Sequence, residues 1–381
     1  MIYQDFQGMK LSNLGLGCMR LPVADGNDAV VDQAAVEEMV ALAMERGVNY
    51  YDTAWAYHGG NSELAIGRAL AAYPRDKFYL ANKFPGYDLG NMGKVQEIFE
   101  EQLKKCRVDY FDFYLFHNVC EMNIDAYLDP QYGILDYLLE QKKNGRIRHL
   151  GFSCHGSMPV LKRFLEAYGA YMEFCQLQLN YIDWTFQGGK EKVELLEQYR
   201  IPVWVMEPLR GGRLARLSKQ ESAVLQTMAP QRSIPAWAFR FLQRIPNVTV
   251  ILSGMSNLEQ LKDNLATFET EDSLTKEEWD GLLALGGEMT NPKALACTAC
   301  RYCTSHCPQG LDIPHLLALY NEHRFTGGGF IAPMALSAIP QDRQPGACIG
   351  CRSCDRGIPS FLRWRSIQRG SGAYQRRSMA S

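Results

Sequence analysis

Short apolar runs alternate with longer amphipathic stretches through about the first 265 residues, and this alternation constrains the fold more than any other feature. The runs are rich in β-branched and aromatic residues, as expected of strands buried on both faces of a parallel sheet. Eight strand–helix repeats predict a closed (β/α)8 barrel of the TIM type rather than an open doubly wound sheet. The runs are residues 14–17, 49–54, 78–83, 111–117, 149–154, 174–180, 202–208 and 248–254.

The composition narrows the classes of function. The 381-residue chain is 46% hydrophobic and has a formal net charge of -2, so it offers no general electrostatic attraction for nucleic acid or a membrane surface. No stretch approaches the ~20 apolar residues of a membrane-spanning helix, and the first residues lack a signal-peptide pattern. We therefore predict a cytoplasmic protein that binds neither nucleic acid nor a membrane.

Four polar residues stand at or just beyond the ends of three successive apolar runs. Asp52 closes one strand and Tyr57 follows it, while Lys83 and His117 end the next two runs. The C-terminal ends of barrel strands surround one cavity mouth, so the four side chains are expected to converge there. His58, beside Tyr57, is expected to be an exposed loop residue.

These four side chains can deliver a proton to a carbonyl oxygen. Tyr57 is the candidate general acid, although a phenol has a pKa near ~10. The ammonium group of Lys83 is expected to lower the pKa of Tyr57 by favouring the phenolate. Asp52 would orient Lys83, and His117 would donate a hydrogen bond to the carbonyl. No side chain supplies a hydride, so the reduction requires a cofactor.

The same four residues match, in order and strand context, the catalytic tetrad of the aldo-keto reductases, which the chain resembles over residues 1 to about 265. The resemblance implies an NAD(P)H-dependent carbonyl oxidoreductase acting on a small carbonyl or alcohol substrate. It also implies nicotinamide contacts from Ser153 and Gln176. Further matching segments are GLGCMRLP (15–22), GFSCHG (151–156), CQLQLNY (175–181), VMEPLRGG (205–212) and LSGMSNLEQLKDN (252–264).

The remaining cofactor contacts also follow only from this resemblance. Met206 stands where an aromatic residue that stacks on the nicotinamide is common, and Cys154 stands where many members carry Asn. A thioether can still cover a ring face, with less defined geometry. The implied pyrophosphate and adenosine contacts come from Pro208, Leu209, Gly211, Gly254, Ser256, Gln260 and Asn264.

The choice between NADH and NADPH is left open by the sequence. NADPH-preferring members of the family often place Lys and Arg at the positions of Gly254 and Gln260, which are uncharged here. The usual clamp for the 2′-phosphate is therefore missing. Arg210 or Arg213 could compensate.

Seven of the twelve cysteines are concentrated near the end of the chain, in two motifs. The first has the C-x2-C-x2-C-x3-C-P spacing of bacterial ferredoxins, whereas zinc sites more often show two separated pairs. The second has Ile358 where a fourth cysteine would stand. The metal-ligand candidates are Cys297, Cys300, Cys303 and Cys307 in the first motif and Cys348, Cys351 and Cys354 in the second.

In two-cluster ferredoxins the fourth cysteine of each motif ligates the other cluster. Cys307 would therefore join the second motif to hold one complete 4Fe–4S cluster. A second, incomplete cluster on Cys297, Cys300 and Cys303 could lose one iron, recruit another ligand such as His306, or fail to assemble. The iron–sulfur region could exchange electrons with a partner protein, or it could be a structural brace or a redox or oxygen sensor.

These patterns divide the chain into three predicted regions. Residues 1–270 form the barrel, and residues 271–359 form a small α-helical ferredoxin-like iron–sulfur domain with connecting helices. Residues 360–381 form a basic, disordered tail, because they are rich in Arg and Ser and contain no acidic residue. A shifted reading frame would also produce such a tail. A barrel that only binds nicotinamide to report redox state is disfavoured, since a reporter needs no proton donor.

Overall fold

Eight parallel strands close into a barrel in the computed structural model, which describes residues 1–290, 295, 297, 302–326 and 329–354. A separate antiparallel pair precedes them. All eight predicted runs are strands, so the barrel prediction is confirmed. The pair is β1 (Tyr3–Phe6) and β2 (Met9–Ser12), and the barrel strands are β3 (Leu14–Gly17), β4 (Tyr50–Asp52), β5 (Tyr79–Phe84), β6 (Phe111–Val119), β7 (Ile147–Cys154), β8 (Cys175–Gln178), β9 (Val203–Met206) and β10 (Val248–Ser253).

Each barrel strand pairs with its neighbours in chain order, and β10 returns to pair with β3. Closure removes the two open edges that a flat sheet would leave. In register, Asp52 of β4 lies beside Ala81 of β5, and Ser153 of β7 lies beside Gln176 of β8. The strand ends that carry the predicted site residues therefore share one rim.

The β1–β2 hairpin closes the opposite end of the barrel, and the sequence analysis did not anticipate it. Its turn residues Gln7 and Gly8 both have positive φ (49° and 83°), as a tight two-residue hairpin turn requires. Phe6 belongs to the interior cluster with Tyr50, the first residue of β4, and its ring centroid lies 5.0 Å from that of Trp204. This aromatic cluster gives the barrel a rigid base.

Helices follow the strands of the first compact unit, Met1–Gly287, and the last of them continues to Thr290. A capping box begins the last of them, since Thr275 N–H donates to Glu278 and Glu278 N–H donates to Thr275 Oγ1. These helices are α1 (Gln33–Glu45), α2 (Ser62–Leu70), α3 (Val95–Cys106), α4 (Ile124–Leu128), α5 (Ile134–Lys143), α6 (Met158–Tyr168), α7 (Asp183–Phe186), α8 (Gly189–Gln198), α9 (Lys219–Met228), α10 (Ile234–Gln243), α11 (Leu258–Glu269) and α12 (Lys276–Thr290).

The second compact unit begins at Glu288 and contains α13 (Tyr302–Ser305), α14 (Ile313–Thr326) and α15 (Ile331–Ser337). Pro314 lies in the first turn of α14. The described part of this second unit has a small buried core, which contains Cys303, Leu311, Ile313, Leu316, Leu317 and Cys354. Cys300, Ile358 and the predicted tail lie outside the described residues. The predicted limits of the three regions stay predictions.

Among the described residues, the helices are all too short or too polar to cross a lipid bilayer.

Candidate active site

A buried ion pair forms the centre of the strand-end cluster. Lys83 Nζ donates to Asp52 Oδ1 at 2.5 Å and to the carbonyl oxygen of Thr53 at 2.7 Å. The amide of Gln176 donates to the other oxygen of Asp52 at 2.9 Å. Lys83 and Asp52 are buried, and a buried pair holds its charges only when such additional hydrogen bonds are made. The carboxylate therefore fixes the position of the ammonium group.

Polar side chains behind the sheet hold the strand that carries Lys83. Successive residues of a strand point to opposite faces, so Asn82 points away from the barrel interior, where its amide donates to Glu63 Oε1 at 2.9 Å. Gln102 of α3 donates to the Lys83 carbonyl oxygen at 3.0 Å and to Glu63 at 3.0 Å. Sequence reasoning missed Glu63 and Gln102, whose only signal was a polar residue on the apolar face of a helix.

Tyr57 and His117 lie beside this ion pair. Lys83 Nζ is 5.0 Å from the ring centroid of Tyr57, and the rings of Tyr57 and His117 meet edge to face with centroids 6.1 Å apart. Both side chains are half-buried, whereas Lys83 and Asp52 lie deeper. The structure thus brings all four predicted residues together at the rim of the barrel.

The pKa of Tyr57 departs from the sequence-based expectation. Burial raises the pKa of Tyr57 and outweighs the attraction of Lys83, which acts in the opposite direction, so the net shift is upward. Burial lowers the pKa of Lys83, but the charges and hydrogen bonds of Asp52 and Tyr57 outweigh burial and raise the pKa overall. The expected lowering of the Tyr57 pKa is therefore wrong. That expectation included the charge of Lys83 but not the loss of water around the buried phenol. Tyr57 keeps its proton and Lys83 keeps its charge at neutral pH.

The imidazole of His117 is neutral in this environment. Burial lowers its pKa well below the ordinary value, and the charge of Lys83 and the neighbouring His155 lower it further. A neutral ring carries one N–H donor, which suits hydrogen bonding to a carbonyl oxygen. Tyr87, which sequence reasoning missed, packs edge-on against His117 with ring centroids 5.1 Å apart. Its signal was an aromatic residue four positions after Lys83 in a barrel-top loop.

Two further residues near Tyr57 have clear structural contacts. His58 is buried, so the expectation of an exposed loop histidine is wrong. Its Nε2 accepts a hydrogen bond from Leu21 N–H at 3.1 Å, and its Nδ1–H donates to the Asp28 carbonyl oxygen at 2.8 Å. Its φ of +54° turns the ring inward. The ammonium nitrogen of Lys105 lies over the ring of Trp55, 3.8 Å from the ring centroid.

The residues implied as nicotinamide contacts lie on neighbouring strands of the same rim. Ser153 Oγ accepts from Asn118 N–H at 2.7 Å, and Gln176 is held by Asp52 as described. Met206 ends β9 in register with Gln178 and is half-buried. These three positions border one side of the tetrad.

The residues implied as phosphate and adenosine contacts fall in two segments. Pro208, Leu209 and Gly211 belong to a tight turn after β9, in which Gly211 N–H donates to Glu207 Oε2. In the second segment, Gly254 and Ser256 lie between β10 and α11, and Gln260 and Asn264 lie in the first two turns of α11. Ser256 N–H donates to Gln260 Oε1 at 2.8 Å, Asn264 donates to Ser253 Oγ at 2.9 Å, and Gly254 is exposed.

Both arginines considered as phosphate ligands are engaged by carboxylates. Arg210 is buried and forms an ion pair with Asp183 at 3.0 Å. Arg213 pairs with Glu221 at 2.8 Å. These pairs anchor the turn after β9 to its surroundings.

The cysteines of the second unit differ in exposure. Cys303 and Cys354 are buried in its core, while Cys307 and Cys348 pack against that core and are half-buried. Leu311 N–H donates to Cys307 Sγ at 3.5 Å. Cys297 and Cys351 are exposed. Within the described residues, which exclude Cys300, no group of three or more His, Cys, Asp or Glu side chains is arranged to hold a metal ion.

Comparison with known proteins identifies the family. The sequence model of the aldo/keto reductase family matches residues 13–285, most of the chain. The chain belongs to the aldo/keto reductase family. It is an NAD(P)H-linked oxidoreductase.

Relatives and solved structures agree with this assignment. The chain is 26% identical to a probable aldo-keto reductase from Glycine max, over 67% of this chain and 71% of that protein, and 25% identical to an NADH-specific methylglyoxal reductase from Escherichia coli, over 67% and 89%. The holo form of an aldo-keto reductase from Bacillus halodurans matches with a TM-score of 0.62 at 24% identity, covering 75% of this chain and 96% of that chain. An aldo-keto reductase from Klebsiella pneumoniae in complex with NADPH has a TM-score of 0.59 at 19% identity, covering 75% and 95%. At these identities the structures support the fold.

Proposed function

We propose that the chain reduces the carbonyl group of a small substrate, with Tyr57 as proton donor and Lys83, Asp52 and His117 as its supporting residues. One observation carries this proposal: the buried Lys83 ammonium is fixed by Asp52 at 2.5 Å and lies 5.0 Å from the Tyr57 ring. A tyrosine with a buried, oriented cation beside it is suited to proton transfer at a barrel rim.

A nicotinamide cofactor held by Ser153, Gln176 and Met206 would supply the hydride for the carbonyl carbon. Tyr57 supplies the proton, which it retains in the resting protein because burial holds its pKa above the ordinary value. Transfer of that proton leaves a developing phenolate, which the Lys83 ammonium stabilises more strongly than it stabilises the neutral phenol. Interactions that strengthen in the transition state raise the rate. Neutral His117 donates a hydrogen bond to the substrate oxygen and orients it.

The cofactor is proposed to lie across the rim from β7 to α11. Its nicotinamide would contact Ser153, Gln176 and Met206, and the rest of the dinucleotide would follow the two segments described above. Exposed Gly211 leaves room for a close approach to the backbone. The relatives include an NADH-specific enzyme and a complex with NADPH, so relatives alone do not choose the nucleotide.

Isotope transfer tests the proposed reaction. The full-length protein would be incubated with nicotinamide cofactor deuterated at C4 and a panel of small aldehydes, and the products analysed by mass spectrometry. We expect one deuterium on the carbinol carbon of at least one alcohol product. Cofactor binding with no deuterium transfer to any carbonyl tested would contradict carbonyl reduction.

For the second unit we propose a 4Fe–4S cluster on Cys307, Cys348, Cys351 and Cys354. The cysteine spacing carries this assignment. Cys307, Cys348 and Cys354 pack in or against one small core, which also holds Cys303, and the described residues do not form a metal-binding arrangement there. The remaining cysteines Cys297, Cys300 and Cys303 would hold the incomplete second cluster. Such a cluster would exchange electrons with a partner protein.

Spectroscopy separates this proposal from its alternatives. EPR with iron and sulfide quantitation on anaerobically prepared protein is expected to show a 4Fe–4S signal that forms when dithionite, a one-electron reductant, is added. A cluster that is never reduced during turnover, with carbonyl reduction surviving its removal by chelator, would favour a brace or sensor. Protein prepared anaerobically with zinc and no sulfide would refute the iron–sulfur assignment.

A further inference from the structure

Arg20 is held against the segment that carries the proposed adenosine contacts. It ends the short helical turn Cys18–Arg20 that follows β3. Its carbonyl oxygen accepts a hydrogen bond from Ser256 Oγ at 2.9 Å. Its side chain crosses Gly254 so closely that a Cβ atom at position 254 would lie 2.8 Å from Arg20 Cγ. Arg20 is therefore fixed to this segment through both its backbone and its side chain.

Gly254 makes this crossing possible. Its φ lies outside the left-handed range that favours glycine, so its backbone conformation does not require glycine. The space above it is taken by the Arg20 stem, and any larger residue would collide with that stem. The stem of an arginine from the turn after the first barrel strand thus occupies the volume that a side chain at position 254 would otherwise fill.

The charge of Arg20 is available to a ligand. Its side chain is exposed, and no carboxylate forms an ion pair with it among the described residues, in contrast to Arg210 and Arg213. Burial raises the pKa of Glu207, while the charge of Arg20 acts to lower it, so the guanidinium lies within electrostatic reach of the turn after β9 as well. Arg20 therefore contacts the second of the two segments proposed to hold the phosphates and adenosine, and its charge also acts on the first.

We propose that Arg20 binds the 2′-phosphate of NADPH and makes NADPH the preferred cofactor. This inference rests on the proposed carbonyl reductase function and its cofactor site. A guanidinium group binds a phosphate through two parallel charge-assisted hydrogen bonds. Arg20 replaces the cations that positions 254 and 260 lack, and it explains why Gly254 carries no side chain.

Cofactor titration of the full-length protein tests this proposal. Fluorescence titration would give dissociation constants for NADPH, NADH and 2′,5′-ADP in wild type, Arg20→Gln and Arg20→Lys. A hydrogen bond between charged groups supports an expected loss of roughly 10- to 100-fold for NADPH and 2′,5′-ADP in Arg20→Gln, with NADH unchanged. Arg20→Lys should lose less, since it retains the charge without the planar fork.

Two further variants make the result specific. Arg213→Gln removes an arginine that is already paired and should leave the ratio of NADPH to NADH affinity unchanged. Gly254→Ala should displace the Arg20 side chain and lower NADPH affinity in wild type, but not further in Arg20→Gln. Equal losses for NADPH and NADH in Arg20→Gln would assign Arg20 to the pyrophosphate and overturn the proposal, as would no loss for either. If wild type binds neither nucleotide, the proposed function itself has failed.

Discussion

The barrel and the cysteine-rich unit support their proposed sites in different ways. In the barrel, Trp204, Phe113 and Tyr50 belong to one large interior cluster. The charged groups of the site are satisfied by protein partners, since Asp52 accepts from Lys83 and from Gln176. Among the described residues of the second unit, six form the buried core, and two of them are the candidate ligands Cys303 and Cys354. A small core of this kind gains much of its stability from whatever binds its ligands. The barrel site is therefore expected to persist without the second unit's metal.

The largest expected effect comes from Lys83→Met. The change removes the cation beside Tyr57 and leaves Asp52 buried without its partner, so we expect a loss of ~10²–10⁴-fold in turnover and about 3–5 kcal/mol in the free energy of unfolding of the barrel. Steady-state kinetics and urea unfolding measure the two effects. The matched control is Lys10→Met, whose partner Asp5 is exposed, and it should change neither. Turnover retained in Lys83→Met would remove the basis for its proposed role.

A cysteine variant should affect the second unit and leave cofactor binding by the barrel unchanged. In Cys307→Ser, which lacks the ligand shared between the two motifs, we expect the iron and sulfide of one cluster to be lost and the second unit to become sensitive to protease. The dissociation constant for NADPH should stay within about twofold of wild type, because the cofactor site lies on the barrel. Cys120→Ala, at a buried barrel cysteine, is the control and should keep its iron. Unchanged iron content in Cys307→Ser would contradict the proposed ligand set.

High pH should weaken the barrel gradually. Burial raises the pKa values of Tyr50, Tyr51 and Tyr114 well above their ordinary value of 10.0. Below pH 10 both folded and unfolded states keep these protons; above it only the unfolded chain releases them, so stability falls as pH rises. Each tyrosine contributes a slope of up to ~1.4 kcal/mol per pH unit. Urea unfolding between pH 8 and 11 measures the decline, which should be shallower in Tyr50→Phe. A free energy of unfolding that stays constant above pH 10 would contradict the raised pKa values of these tyrosines.

The sequence predicted the parts of the molecule that depend on local pattern. Continuous apolar runs identified all eight barrel strands, and their ends located Asp52, Tyr57, Lys83 and His117. The hairpin β1–β2 escaped prediction because its strands, YQDF and MKLS, mix polar and apolar residues and lack the continuous apolar run that identified the barrel strands.

The remaining features depend on tertiary contacts. Arg20 and Gly254 meet only because β3 and β10 are neighbours in the closed barrel. The raised pKa of Tyr57 arises from burial, which neighbouring residues in sequence do not report. His58 turns inward because of one left-handed backbone conformation.

The central claim is that Tyr57 donates the proton that accompanies hydride transfer. Single-turnover kinetics of Tyr57→Phe, with bound NADPH and an aldehyde that wild type reduces, tests it most directly. We predict that the rate of hydride transfer falls by ~10²–10⁴-fold while the dissociation constant for NADPH is unchanged. A hydride-transfer rate equal to that of wild type would contradict the account.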